Sequence, residues 1–190
     1  MKPIKWVPWF CFFLLYLLMF APAVSAQAAP EEGAGLSKSP EAEAHDQKAL
    51  QKLQQMSPEE VAELDKKLAE ALTLFYDREY ARALPIFREI SGTVETMDVA
   101  FWLGSCAAKA GETDLAIRKF QEMLAVDPGL HRVRLELATV YFRLGRYAEA
   151  RQELNTLLEA EPPEPVRQNI EKLLASIDAK TRKLYGNFRA

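Results

Sequence analysis

Residues 145–165 read GRYAEARQELNTLLEAEPPEP. The stretch holds a glycine, an aromatic residue two positions on, an alanine three positions later, and an apolar run that prolines close. A similar order of residue types occurs twice upstream, in DREYARALPIF (77–87), which has no glycine, and in GETDLAIRKF (111–120), which has Thr113 at the aromatic position. The alanines that the three stretches share lie 33 and 34 residues apart: Ala83, Ala116 and Ala150. This spacing predicts a chain of similar helical units.

A period near 34 residues with paired amphipathic helices is typical of the tetratricopeptide repeat (TPR). We therefore predict an all-α fold, a helix-hairpin solenoid of about three repeats with a C-terminal capping helix. The repeats are predicted at 64–96, 97–130 and 131–164. The helices are predicted near 58–76, 79–91, 95–110, 113–126, 131–144 and 147–160, with the capping helix at 165–183.

Particular residues explain the repeat pattern. The alanines are small enough to let two helices approach closely, and large apolar residues fill the space between hairpins: Phe87, Phe120 and Leu154. Gly111 and Gly145 suit the left-handed ends of helices, whereas Arg78 takes that place in the first repeat. Ser57 to Glu60 (SPEE) predicts a helix start, because a serine cap, a proline at the first helical position and a glutamate three residues on all agree.

The N-terminus resembles a secretory signal peptide. Lys2 and Lys5 precede an apolar run at about 6–24, and the small residues of VSA lead to Gln27. We expect residues 1–26 to be cleaved after Ala26. The alternative is an uncleaved membrane anchor, since about 18 apolar residues approach the length of a membrane span.

Residues 27–56 are predicted to be a flexible tether before a TPR domain at 57–185. Residues 27–44 are rich in Ala, Pro, Gly, Glu and Ser, a composition that cannot bury a core. Residues 45–56 are compatible with a frayed helix.

Charge and motifs exclude several functions. The net charge of −3 becomes −5 when cleavage removes Lys2 and Lys5 and no acidic residue, which argues against nucleic acid as a partner. Common hydrolase, metalloprotease, thiol-redox and nucleotide-binding motifs do not occur in the sequence. We expect no enzyme, no metal and no cofactor. His45 and His131 have no second ligand near in sequence, and Cys106 is predicted to be a buried core residue.

The first helix of each TPR hairpin lines the concave face of the stack. Counting fixed positions in the three repeats gives a candidate groove for a protein or peptide segment with apolar anchors and an acidic group. For the apolar residues, packing within the hairpins is the alternative, and for the basic residues plain solvation is. The candidate groove residues are Leu68, Leu72, Phe75, Phe101, Lys109, Arg132, Leu135, Phe142 and Arg143.

The motifs RLELA (134–138), YFRLGRYAEAR (141–151) and PPEPVRQNIEKLL (162–174) are similar to the N-terminal periplasmic TPR region of surface lipoprotein assembly modulator (Slam) proteins. In that family the repeats precede an outer-membrane β-barrel that helps export lipoproteins. We expect no barrel within this sequence, because no series of alternating segments of about ten residues occurs. The resemblance implies a periplasmic adaptor or substrate-capture module.

Three functions follow as hypotheses. The first is an exported periplasmic TPR adaptor or scaffold in outer-membrane or surface-protein assembly, with an outer-membrane barrel or an exported lipoprotein as partner. The second is a scaffold anchored in the inner membrane by residues 4–24 and facing the periplasm. The third is a regulator of a cell-wall enzyme.

Overall fold

The computed structural model describes the backbone of residues 38–186 and the side chains of residues 38–183. The predicted signal peptide, with its cleavage site, and the first part of the predicted tether lie outside the described residues. Within the described part of the chain the structure consists of helices and their connections, without strands. The helices are α1 (Pro40–Gln54), α2 (Pro58–Tyr76), α3 (Tyr80–Thr93), α4 (Met97–Ala110), α5 (Thr113–Val126), α6 (His131–Arg143), α7 (Tyr147–Glu159) and α8 (Glu164–Gly186).

Helices α2 to α7 form three consecutive hairpins, and each hairpin packs on the next. The ends of these six helices agree with the predicted ends within two residues. The long helix α8 packs on α7 and follows the predicted capping helix, with Ile170 and Ile177 fully buried. The predicted all-α solenoid of three repeats with a capping helix is confirmed.

The helices begin and end where local chemistry requires it. At the start of α2, Glu60 N donates to Ser57 Oγ at 3.2 Å and Ser57 N donates to Glu60 Oε2 at 2.8 Å, as the predicted capping box requires. After α4 and α6, Gly111 and Gly145 have φ of 93° and 74°. Arg78 adopts the same left-handed conformation after α2, with φ 63°, in the absence of a glycine.

Small and large residues alternate through the core. The three repeat alanines and the three large residues that follow them are fully buried, as predicted. Gly104 allows an even closer approach, since an ideal Cβ at this position would lie 2.8 Å from Phe120 Cε1. The bulk of Phe120 therefore fixes the distance between α4 and α5.

The predicted flexible tether is wrong for residues 40–44, which begin helix α1; from residue 45 onward, a docked helix takes the place of the frayed helix expected at 45–56. Ser39 caps this helix, accepting from Ala42 N at 3.3 Å, and Pro40 occupies its first turn. Ala42 and Ala49 are buried against the repeats. The composition predicts disorder because α1 has few large apolar residues, but small alanines and polar contacts are enough to dock it.

Polar contacts fix the start of α1 to the second repeat. Asp46 Oδ1 accepts from Met97 N, the first residue of α4, at 2.7 Å. Lys38 Nζ lies 2.6 Å from both Asp46 Oδ2 and Asp98 Oδ2, and Ser39 N donates to Asp127 Oδ2 at 2.7 Å. Helix α1 thus docks at the edge where α4 begins and α5 ends.

Candidate partner-binding site

Five of the nine predicted groove residues are half-buried and pack against the hydrophobic core: Leu68, Leu72, Phe75, Leu135 and Phe142. Groove wall and hairpin core, the two interpretations of these apolar residues, therefore each apply in part. These side chains contribute to hairpin packing and still present some surface to solvent.

Phe101 does not line an open groove. Its side chain is 4% exposed, and its ring centroid lies 5.8 Å from that of Trp102 and 6.4 Å from that of Phe120. The guanidinium of Arg132 covers the ring, with Cζ 4.6 Å from the centroid. Repeat position alone predicts Phe101 on the groove wall, because it takes no account of the neighbouring side chains that cover the ring.

Two of the predicted basic residues are exposed but engaged in contacts within the stack. Lys109 Nζ lies 5.8 Å from the ring centroids of both Phe75 and Tyr80. Arg143 donates from Nη2 to the carbonyl oxygen of Ala108, in the last turn of α4, at 2.6 Å. Such a contact satisfies a carbonyl at a helix C-terminus. Both residues therefore have structural roles.

Arg132 and Leu135 meet at a cavity of about 360 Å³ in the third repeat. Residues of helices α6, α7 and α8 and of the loop between α7 and α8 line it, and it opens to solvent. Leu157, at the end of α7, is 3% exposed and lies in the wall, whereas Val166, in the first turn of α8, is 39% exposed. The apolar lining residues are Leu135, Leu157, Ala160, Pro162, Pro163 and Val166.

The remaining cavity residues, His131, Arg132 and Glu161, are polar and exposed. His131 and Arg132 open α6, a helix whose N-terminus has no side-chain cap. Positive helix-dipole charge and the guanidinium therefore lie on the same side of the cavity. Glu161 stands in the α7–α8 loop with φ 49°, a strained left-handed conformation for a residue with a side chain.

A second cavity of about 410 Å³ lies at the turn of the first repeat. Its lining consists of residues 78–82, Lys109 and Ala110, and four of these residues are charged. The two cavities share no lining residue. The structure therefore brings Arg132 and Leu135 together and places Lys109 at a different site.

Cys106 is fully buried in α4, as predicted. Its Sγ lies 3.4 Å from the carbonyl oxygen of Tyr80, to which the thiol donates a hydrogen bond. Burial raises the pKa of the Cys106 thiol to about 11. The thiolate is therefore a minor species at neutral pH, which disfavours reaction.

The described residues do not bring three His, Cys, Asp or Glu side chains together in a way that could hold a metal ion. From α1 to α8, none of the helices combines the length and the apolar character needed to cross a membrane.

Sequence comparison identifies the repeats. Two models of the tetratricopeptide repeat match the chain, one over residues 68–131 and the other over residues 107–177. Together they cover part of the first hairpin and all of the second and third, and they extend into α8. These repeats are tetratricopeptide repeats. A comparison with curated proteins found no match, and the resemblance to Slam proteins finds no support in these comparisons.

Solved structures of TPR proteins have a similar fold. The Yersinia enterocolitica type III secretion chaperone SycD, in complex with a peptide of the translocator YopD, has a TM-score of 0.55 at 21% identity, over 63% of this chain and 95% of SycD. A T3SS complex from Aeromonas hydrophila has 0.57 at 20% identity, over 75% and 98%. The Sgt2 TPR domain from Aspergillus fumigatus has 0.53 at 17% identity, over 70% and 84%. At these identities the likeness shows the fold alone.

Proposed function

We propose that this protein is an exported TPR adaptor that binds a segment of a partner protein along the first helices of its hairpins. The observation that carries the proposal is the apolar cavity in the third repeat, where Leu135 and Arg132 of α6 stand side by side. Concave apolar sites with a few polar groups are where proteins bind ligands and peptide segments. SycD, which has a similar fold, was solved with a peptide of a translocator.

The cellular part of the proposal rests on the sequence. The basic start, the apolar run and the small residues before Gln27 favour export to the periplasm of a Gram-negative bacterium. There the adaptor would act in outer-membrane or surface-protein assembly, with an outer-membrane barrel or an exported lipoprotein as partner. It would bind without catalysis, since the sequence holds no catalytic motif.

The length of the apolar run at about 6–24 also favours a second candidate, a TPR scaffold anchored in the inner membrane. The intact mass of the protein recovered from cells separates the two. A chain that begins at Gln27 supports the periplasmic adaptor. A chain that keeps residues 1–26 and fractionates with the inner membrane overturns it in favour of the scaffold.

Site-specific photo-crosslinking in cells tests partner binding. A photo-reactive amino acid replaces Val166 at the cavity in one variant and Leu144 in a matched control. Both side chains are exposed, 39% and 43%, but Leu144 does not line the cavity. We expect a discrete adduct with a barrel or an exported lipoprotein at position 166 and none at position 144. Equal adducts at both positions, or none at either, would contradict binding at this face.

A further inference from the structure

We propose that the cavity in the third repeat is an anchor pocket for one leucine-sized or phenylalanine-sized side chain of an extended partner segment, whose neighbouring carboxylate lies against the start of α6. This inference rests on the proposed function and specifies the chemistry of its partner. The occupant is a protein segment with an acidic residue next to the apolar anchor.

The size and lining of the cavity fit a single apolar side chain. A closed cavity of about 150 Å³ lined by aliphatic and aromatic side chains takes up benzene. The volume here, about 360 Å³, therefore accommodates an aliphatic or aromatic side chain together with part of its backbone. A whole helix, about 10 Å across, does not fit. An apolar side chain that packs against Leu135, Leu157 and Val166 removes apolar surface from water, which favours binding.

The charges around the opening favour one orientation of the segment. Arg132 and the N-terminus of α6, which has no side-chain cap, bring positive charge to the lining, and Glu161 of the α7–α8 loop brings a carboxylate. An acidic residue beside the anchor gains attraction on the α6 side and is repelled on the loop side. The stacking of Arg132 on Phe101 holds the guanidinium in place before binding.

The loop side of the pocket is preformed. Pro162 and Pro163 have restricted φ, and Glu161 keeps its left-handed conformation although a glycine would be less strained there. A wall that is already ordered loses little conformational entropy when a ligand binds. Functional sites often retain strained residues, and Glu161 is such a residue in the lining of this cavity.

Titration of the purified protein with short peptides, followed by NMR of leucine and valine methyl groups, tests the pocket. The probes are acetyl-Gly-Asp-Leu-Gly-amide and acetyl-Gly-Leu-Asp-Gly-amide, so that either chain direction is covered. We expect the methyl signals of Leu135, Leu157 and Val166 to shift with at least one probe. Replacing the probe leucine by alanine is expected to weaken binding about tenfold, and replacing its aspartate by lysine about threefold.

Protein variants provide the controls. Val166→Trp fills the opening from an exposed position and is expected to abolish the methyl shifts, whereas Leu144→Trp, equally exposed and outside the pocket, is expected to leave them unchanged. Arg132→Glu is expected to reverse the preference, so that the lysine probe binds more tightly than the aspartate probe. Should Arg132→Glu disturb packing on Phe101, the probe series on the unaltered protein still decides the outcome.

Some results would overturn the anchor pocket. These are methyl shifts confined to other residues, equal affinity for the leucine and alanine probes, or unchanged binding to Val166→Trp. If such a result accompanies a specific crosslink at position 166, the anchor chemistry is wrong and the proposed function stands. If both the probes and the crosslinks fail, the proposed function fails with it.

Discussion

At the scale of single residues, Gly104 is the position where one carbon atom decides the packing of a repeat. The ring that an added Cβ would meet belongs to Phe120, which is fully buried. A Cβ added at Gly92, in the last turn of α3, would have no neighbouring atom within 4 Å. The two glycines therefore form a matched pair.

We predict that Gly104→Ala lowers the free energy of unfolding by about 1–3 kcal/mol, because overpacking outweighs the better helix propensity of alanine. Gly92→Ala is expected to be neutral or to stabilise by up to about 1 kcal/mol. Urea denaturation of both variants gives the comparison. Equal stability of the two variants would show that α4 and α5 separate without cost.

Arg78 holds a left-handed conformation that costs most residues about 1–2 kcal/mol. Arg78→Gly removes this strain but adds freedom to the unfolded chain, so we predict a net stabilisation of about 0.5–1 kcal/mol. Asp77→Gly, one residue earlier at φ −75°, is expected to destabilise the protein. Thermal unfolding distinguishes them, and a less stable Arg78→Gly would mean that the arginine side chain stabilises the turn.

Residue identities could be predicted where they depend on local chemistry. The repeat alanines, Gly111 and Gly145 follow from helix spacing and backbone conformation. Phe101 and Glu161 could not be predicted correctly in this way. The burial of Phe101 depends on Arg132, which comes from another repeat, and the left-handed conformation of Glu161 has no glycine to indicate it.

At the scale of elements, α1 shows why the docking of a helix, and its start before residue 45, escape composition-based prediction. Its docking depends on Asp46 bonding Met97 N, 51 residues away, and on Asp127 bonding Ser39 N, 88 residues away. A local signal did exist, because Ser39 and Pro40 repeat the serine and proline that start α2 at Ser57. The alanine-rich and glutamate-rich composition obscured it.

We predict that Asp46→Ala releases α1 without unfolding the repeats. Loss of its charge-assisted hydrogen bonds is expected to lower the free energy of opening α1 by about 1.5–3 kcal/mol. Amide hydrogen exchange measures this as faster exchange in α1 at constant protection of α6 and α7. Lys48→Ala, an exposed change in the same helix, serves as control, and unchanged exchange in Asp46→Ala would contradict the role of this carboxylate.

The docking of α1 is also expected to depend on pH at the extremes. Burial opposes ionisation of Asp127, but hydrogen bonds from Ser39 N and Gly129 N outweigh it and hold the pKa of Asp127 below its usual 3.8. Its contribution is therefore present above pH 3.8 and lost as the pH falls through the lowered value. Burial also opposes charge on Lys38, but Asp46 and Asp98 raise its pKa above 10.5, so its contribution is lost only as the pH rises past that range. Protection factors in α1, which correct the exchange rates for their intrinsic pH dependence, are expected to be flat between these limits and to fall outside them.

At the scale of the whole molecule, stability depends on each hairpin covering the next, and α8 completes this series on α7. Ile170 and Ile177 of α8 are fully buried. The repeat order and the cap were predictable because the apolar spacing of α8 continues the helical pattern. The cavity between α6, α7 and α8 was not, because it depends on how three helices fit together.

We predict that Ile177→Ala lowers the free energy of unfolding by about 2–5 kcal/mol, since it leaves a void between α8 and the third repeat. Ser176→Ala, an exposed change beside it, is expected to stay within about 0.5 kcal/mol of the unaltered protein. Chemical denaturation with tryptophan fluorescence measures both. A cost below about 1 kcal/mol for Ile177→Ala would indicate that α8 does not cap the stack.

The contacts at Lys38 and Ser39 determine how the domain responds to mechanical force. Tension that arrives along the backbone from preceding residues first loads the Ser39–Asp127 hydrogen bond and the Lys38–Asp98 ion pair, which join this segment to the second repeat. Once these give way, the 15 residues of α1 can unravel from about 22 Å as a helix to about 50 Å as an extended chain. Unfolding of α1 would then lengthen the chain by nearly 30 Å while the three hairpins stay folded.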